Sequence, residues 1–306
     1  MGMNRRKFLT TTLTGVTAAS VLGSRFSFAA TQHRAEHIGV QLYTVRDAMQ
    51  QDMDGTLAKV SAIGYKEVEL AGFTMDGGKI LYFTHSPEDL KASLDRHGLS
   101  AISTHVNFVS LSPENFPKVI EVSKMLGHRY IVNPWIDDDV RKQPDGWNQA
   151  AATFNRAGEM SKKSGIQFAY HNHWFEWFPL KNGKLPYDIL LKETDPNLVK
   201  MEMDLCWITI AGQDPVKYFD LYPGRFPLVH VKDMKKLPKV TGSGNQDFGD
   251  SLGDMTEVGK GVIDWKRIFA HADKAGIKYY IVEHDKPKRP FESISISYKY
   301  MKALRF

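Results

Sequence analysis

From about residue 36 onward, short and mostly apolar runs alternate with longer stretches of helical periodicity. The runs fall at 38–42, 67–70, 100–104, 130–133, 167–171, 199–204, 228–231 and 279–283. Each is four to six residues long and rich in β-branched or aromatic side chains. Strands covered on both faces read this way, as near-continuous apolar segments rather than strict alternations. Helical patterns lie between them at 49–63, 87–97, 113–126, 147–164 and 265–275, each running up to a glycine. Glycine just past a helical pattern is a stop signal, because it adopts the left-handed conformation that closes a helix. Ser86-Pro87, Ser112-Pro113 and Asp214-Pro215 supply the matching start signal, a capping side chain followed by proline.

Eight strand–helix units over about 270 residues predict a single closed (β/α)8 barrel, a TIM barrel, spanning 31–306. A dinucleotide-binding sheet would carry Gly-x-Gly-x-x-Gly after a strand, and the chain has none. The long glycine-rich segment 236–263 follows the seventh strand, where a barrel enzyme places a loop over its site.

The first thirty residues stand apart from this pattern. Asn4-Arg5-Arg6-Lys7-Phe8-Leu9 opens a weakly apolar run, and Ser27-Phe28-Ala29 offers small residues for cleavage. Residues 1–30 are therefore expected to be an export signal of the twin-arginine type, read by the export machinery, with a periplasmic or other extracytoplasmic destination. Charge follows from this: the segment holds Arg5, Arg6, Lys7 and Arg25 and no acids, so the net charge of +5 falls to +1 without it. The basic footprint expected of a nucleic-acid binder goes with it. A lone cysteine, Cys206, excludes an intramolecular disulfide and a zinc–thiolate cluster.

Barrel active sites lie at the carboxyl ends of the strands. Those ends carry Glu69, His105, His171 with His173, Glu202 with Asp204, His230 with Lys232, and Glu283. Residues two apart on a strand share a face, so Glu202 and Asp204 point together, as do His230 and Lys232. A single buried histidine is more often a hydrogen-bonded core residue than a ligand. Four consecutive strands ending in His, Asp or Glu on one face are different. Burying those charges together is costly unless a divalent cation neutralises them.

Four segments also carry a resemblance: Tyr170-His171-Asn172-His173, Met203-Asp204-Leu205-Cys206-Trp207, Leu228-Val229-His230-Val231-Lys232-Asp233 and Gly259-Lys260-Gly261-Val262-Ile263-Asp264-Trp265. In these the chain resembles the xylose-isomerase-like barrels, and within them the sugar phosphate isomerase/epimerase group that includes ketose 3-epimerases and inosose dehydratase. The resemblance implies one divalent ion (Mn, Zn, Co, Fe or Mg) held by Glu, Asp, His and Glu from strands five to eight. Asp204, His230 and Glu283 match three of these positions, and His171 stands where the first glutamate belongs. Two imidazoles beside two carboxylates suit zinc, manganese, iron or cobalt better than magnesium.

The implied chemistry is proton transfer on a small carbohydrate through an enediolate. Glu283 or His173 serves as base, and Lys232 or His105 steadies the developing charge. Glu69, Glu176, Trp135, Trp174 and Trp207 are expected to contact the substrate, with Phe73 and Trp177 as further stacking candidates. Isomerisation or epimerisation is the leading expectation. The alternatives are a metal-dependent lyase or dehydratase acting on a keto-sugar or 3-keto-glycoside, and a non-catalytic exported sugar-binding protein. Homo-oligomerisation is left open.

Overall fold

The computed structural model describes residues 33–76, 79–240 and 248–306. The segment expected to be an export signal and part of the glycine-rich loop, with Gly242 and Gly244, lie outside the described residues.

Eight parallel strands close into a barrel: β1 (His37–Gln41), β2 (Glu67–Leu70), β3 (Ser100–His105), β4 (Tyr130–Asn133), β5 (Gln167–His171), β6 (Val199–Asp204), β7 (Leu228–Val231) and β8 (Tyr279–Val282). Each pairs with its neighbours in sequence, and β8 closes on β1 through His37↔Tyr279 to Val40↔Val282. The expected strands are all present, displaced by one residue at most. Leu42 belongs to a one-turn 3-10 helix (Leu42–Val45), and Glu283 stands just past β8.

Helix ends differ more. Asp52 divides the segment expected at 49–63 because its carboxylate accepts from Gly55 N at 2.9 Å and starts a new helix, Met53–Ile63. Ser112-Pro113 does not open a helix. Ser112 ends the 3-10 turn Phe108–Leu111, and the helix begins at Phe116. The segment 265–275 breaks into Trp265–Phe269 and Ala272–Ala275. Helices at Pro186–Glu193, Leu205–Ile210 and Pro290–Ala303 add to those expected.

The position of the site follows from strand alternation. Ile102, Tyr130, Val132, Ala169, Leu228, Tyr279 and Ile281 form a core cluster separate from the larger one between strands and helices. In a closed barrel this small cluster is the set of inward-facing side chains. Two residues further along the same strands, the inward positions are His171 after Ala169, His230 after Leu228, and Glu283 after Ile281. The polar site therefore rests on a mostly apolar floor.

One loop is fixed to the rim by a single carboxylate. Asp233 accepts from Gly259 N (2.9 Å), Gly261 N (3.2 Å), Ile263 N (3.3 Å) and Trp265 Nε1 (2.9 Å). A Cβ on Gly261 would meet Asp233 Oδ1 at 2.0 Å, so the close approach requires glycine there. The adjoining two-residue ladder pairs Asp233–Met234 with Met255–Thr256.

Candidate metal and catalytic centre

Strand register sorts the polar residues into two tiers. The β5–β6 register sets His171 beside Glu202, and the β6–β7 register sets His230 beside Asp204. Side chains follow that order. His171 Nδ1 lies 3.0 Å from Glu202 Oε2, while its Nε2 is 3.7 Å from Asp204 Oδ2.

The deeper tier gathers His105, His171 and Glu202, with Glu69 alongside. His105 Nε2 lies 2.9 Å from Glu69 Oε1 and 3.0 Å from Glu202 Oε2. Glu69 is fully buried and also accepts from Gln41 Nε2 at 2.8 Å and Ser103 Oγ at 2.5 Å. Burial works against charge on His105, but Glu69 and Glu202 outweigh it and lift the imidazole to about 9. Burial, and then the charge on His230, hold His171 well below its ordinary value, leaving it neutral.

His230 spans the tiers. Its Nδ1 is 2.8 Å from Glu283 Oε2, and its Nε2 is 2.7 Å from Glu69 Oε1 and 3.3 Å from Glu202 Oε2.

The outer tier is built on Lys232. Its ammonium lies 2.7 Å from Glu283 Oε2, 2.9 Å from Asp285 Oδ1 and 3.1 Å from Asp204 Oδ2. Burial disfavours the charge, yet these three carboxylates push Lys232 well above its ordinary value. Asp204 is anchored separately by Cys206 N and Trp207 N, which it caps at 2.9 and 2.8 Å. Burial lifts Asp285 to about 6 against the pull of Lys232.

His173 stands at the mouth, half-buried, with its ring 5.0 Å from Trp135 and 6.0 Å from Trp207. Burial and then the Lys232 charge keep it neutral, and its Nδ1 has no hydrogen-bond partner among the described residues. Trp135 and Trp174 also line a cavity of about 730 Å³ with Arg141, Trp147, Phe175 and Phe178. Phe248, from the described end of the glycine-rich loop, packs on Trp174 at 6.0 Å.

Not every expected substrate contact faces this mouth. Glu176 is fully buried, accepting from Tyr170 Oη at 2.6 Å and His173 N at 3.0 Å, so it positions His173. Glu69 lies in the deeper tier, and Trp177 packs 4.5 Å from Tyr187. Phe73 meets Tyr82 edge-on at 5.7 Å. Two residues given no catalytic or ligand role beforehand belong to the site: Glu202 and Asp285. The alternation Glu202, Asp204 was the available signal for the first.

The donor atoms fit a divalent cation. Those of Asp204, His230 and Glu283 lie within 4.8 Å of one another, as do those of His105, His171, Glu202 and His230. The four ligands expected from strands five to eight thus divide between two sets that share His230.

A parallel eight-stranded barrel with His, Asp and Glu clustered at its strand ends defines an α/β-barrel protein with a candidate metal centre. More narrowly, residues 57–304 match the xylose isomerase-like TIM barrel family, and the chain belongs to it. It is 27% identical over 179 residues to an inosose dehydratase of Lacticaseibacillus casei, a match covering 55% of this chain. That match spans 57% of the relative, little more than half its length. An inosose dehydratase of Geobacillus thermodenitrificans is 25% identical over 255 residues, covering 74% of this chain and 83% of the relative. The crystal structure of a sugar phosphate isomerase/epimerase from Parabacteroides distasonis is 29% identical, with a TM-score of 0.71, covering 89% of this chain and 95% of that one.

Proposed function

We propose that this protein is a carbohydrate lyase of the dehydratase kind. It removes a proton from the carbon beside the carbonyl of a keto-sugar or keto-polyol, and the enolate then expels a β-oxygen as water or as an alcohol. The observations that carry this reading are an imidazole held neutral with its Nδ1 unpartnered among the described residues, His173, and an enclosed ammonium, Lys232. A neutral imidazole accepts a proton at ordinary pH, and a fixed cation favours negative charge developing nearby.

In this mechanism His173 takes the α-proton. Lys232 supplies the positive field, held in place by Asp204, Glu283 and Asp285. Asp285, lifted to about 6, gives its proton to the departing oxygen. Glu176 fixes the backbone of His173. Asp204, His230 and Glu283 would hold a divalent ion, which supplies a Lewis acid that polarises the substrate carbonyl.

Two further facts support elimination over epimerisation. The matched relatives are named inosose dehydratases. A histidine also stands at 171, so a pair of glutamate bases facing each other across an enediolate is absent. Reprotonation of the same enolate is the isomerase outcome, and the Parabacteroides structure supports keeping it as the second reading. Arg5-Arg6 with the following apolar run supports export as the setting.

The test is incubation of metal-replete protein with inososes and 3-keto-glycosides in deuterated water. Deuterium at the carbon beside the carbonyl, with an unsaturated product, is expected. Absence of both label and unsaturation with all of these substrates would overturn the reading.

A further inference from the structure

The two tiers differ in how their charge is met. In the outer tier Asp204, Glu283 and Asp285 surround the Lys232 ammonium, a cation carried by the chain itself. No lysine or arginine is paired with Glu202 among the described residues; it meets three imidazoles, two of which, His105 and His230, also meet Glu69. Glu202 Oε1 is buried without a hydrogen-bond partner. A carboxylate so placed has spare lone pairs and no surface open to solvent.

Spacing in the deeper tier matches a coordination shell. Glu202 Oε2 lies 3.0 Å from His105 Nε2, 3.0 Å from His171 Nδ1 and 3.3 Å from His230 Nε2. Donors about 2.0–2.1 Å from a tetrahedral zinc ion lie roughly 3.3 Å from one another. Register produces this arrangement, because β6 offers carboxylates two residues apart, about 6.6 Å along the strand. One meets the histidines of β3 and β5, and the other meets the outer tier.

We propose that His105, His171, Glu202 and His230 Nε2 form a zinc-class metal site of their own, separate from the strand-end set Asp204, His230 and Glu283. Four protein donors leave no open position, so this ion organises the barrel mouth and does not bind substrate. It ties β3, β5, β6 and β7 together beneath the catalytic groups. The inference rests on geometry and not on the lyase reading: zinc bound through Glu202 in a protein that gives no label would leave the site standing.

Full-length wild type, Glu202→Gln, His105→Gln and Glu283→Gln proteins are loaded with zinc or cobalt(II) and desalted. Metal content is measured by mass spectrometry and cobalt geometry by visible absorption. Folding of each variant is checked by circular dichroism. The expected result is tetrahedral cobalt absorption in wild type and Glu283→Gln. Glu202→Gln and His105→Gln lose it, with zinc affinity down by more than about 100-fold. The proposal is overturned if wild type takes up no metal. It is also overturned if folded Glu202→Gln keeps the signal, or if Glu283→Gln loses it as fully as Glu202→Gln does.

Discussion

The ammonium of Lys232 sits 2.7 Å from Glu283 Oε2, and both side chains are enclosed, Lys232 being only 3% exposed. Removing the lysine strands three carboxylates in a dry site. Breaking a buried ion pair by removing one partner costs about 3–5 kcal/mol. Lys232→Met is therefore expected to lower the unfolding free energy of metal-free protein by about that amount. Turnover should fall by about 10²–10³-fold, the range for loss of a group that stabilises transition-state charge. Denaturant titration and steady-state kinetics on one preparation check both.

The pH profile follows from His173 and Asp285. His173 is held well below its ordinary value, so its basic form persists on the acid side of neutrality. Asp285 must be protonated to act as the acid, and its value is about 6. Turnover per unit substrate is thus expected to be level below about pH 6 and to fall about tenfold per unit above it. Asp285→Asn should lower activity and abolish that falling limb. A profile that instead rises from pH 6 to 8 would remove Asp285 from the acid role.

Glu176 makes an opposite and separable contribution to stability. Burial lifts its carboxyl to about 7 in the folded protein, against an ordinary value of 4.5. Between these values the folded state binds more protons than the unfolded one, so stability falls as pH rises from 4.5 to 7. The penalty reaches about 3 kcal/mol above pH 7, at 1.36 kcal/mol per unit. Glu176→Gln removes this titration while leaving an acceptor for Tyr170 and His173 N. The variant is expected to gain stability at pH 8 relative to wild type and to change little at pH 4.5, as melting curves at the two values would show.

How much of this was legible beforehand varied with the physics involved. The eight strands could be read to within a residue because a strand covered on both faces must be apolar along its whole length. Helix starts were less legible, since Asp52 and Ser112 act through local hydrogen bonds that pattern alone does not rank. Asp204, His230, Lys232 and Glu283 were recognisable as polar residues at strand ends. Glu202 was recognisable as sharing a face with Asp204, but not its role, because only register shows that His171 faces it. The burial of Glu176 likewise depends on a turn, Phe175–Trp177, that folds it back under His173.

Asp233 offers the clearest test of the rim. It follows Lys232 in the chain, yet its carboxylate faces away from the outer tier and accepts from three loop amides and the Trp265 indole. Hydrogen bonds to a charged acceptor are worth about 1.5–3 kcal/mol each, and an orphaned buried donor costs about 1–3 kcal/mol. Asp233→Ala is therefore expected to lower stability by roughly 4 kcal/mol or more. Asp233→Asn keeps one carbonyl acceptor and should fall between the variant and wild type. Gly261→Ala, whose new methyl would press on the same carboxylate and on Met234 O, should reproduce part of the loss without removing any donor or acceptor. Hydrogen exchange at Gly259, Gly261 and Ile263 distinguishes local release of the loop from global unfolding. Faster exchange confined to those amides is the expected result, and unchanged protection in Asp233→Ala would show that the carboxylate does not hold the loop.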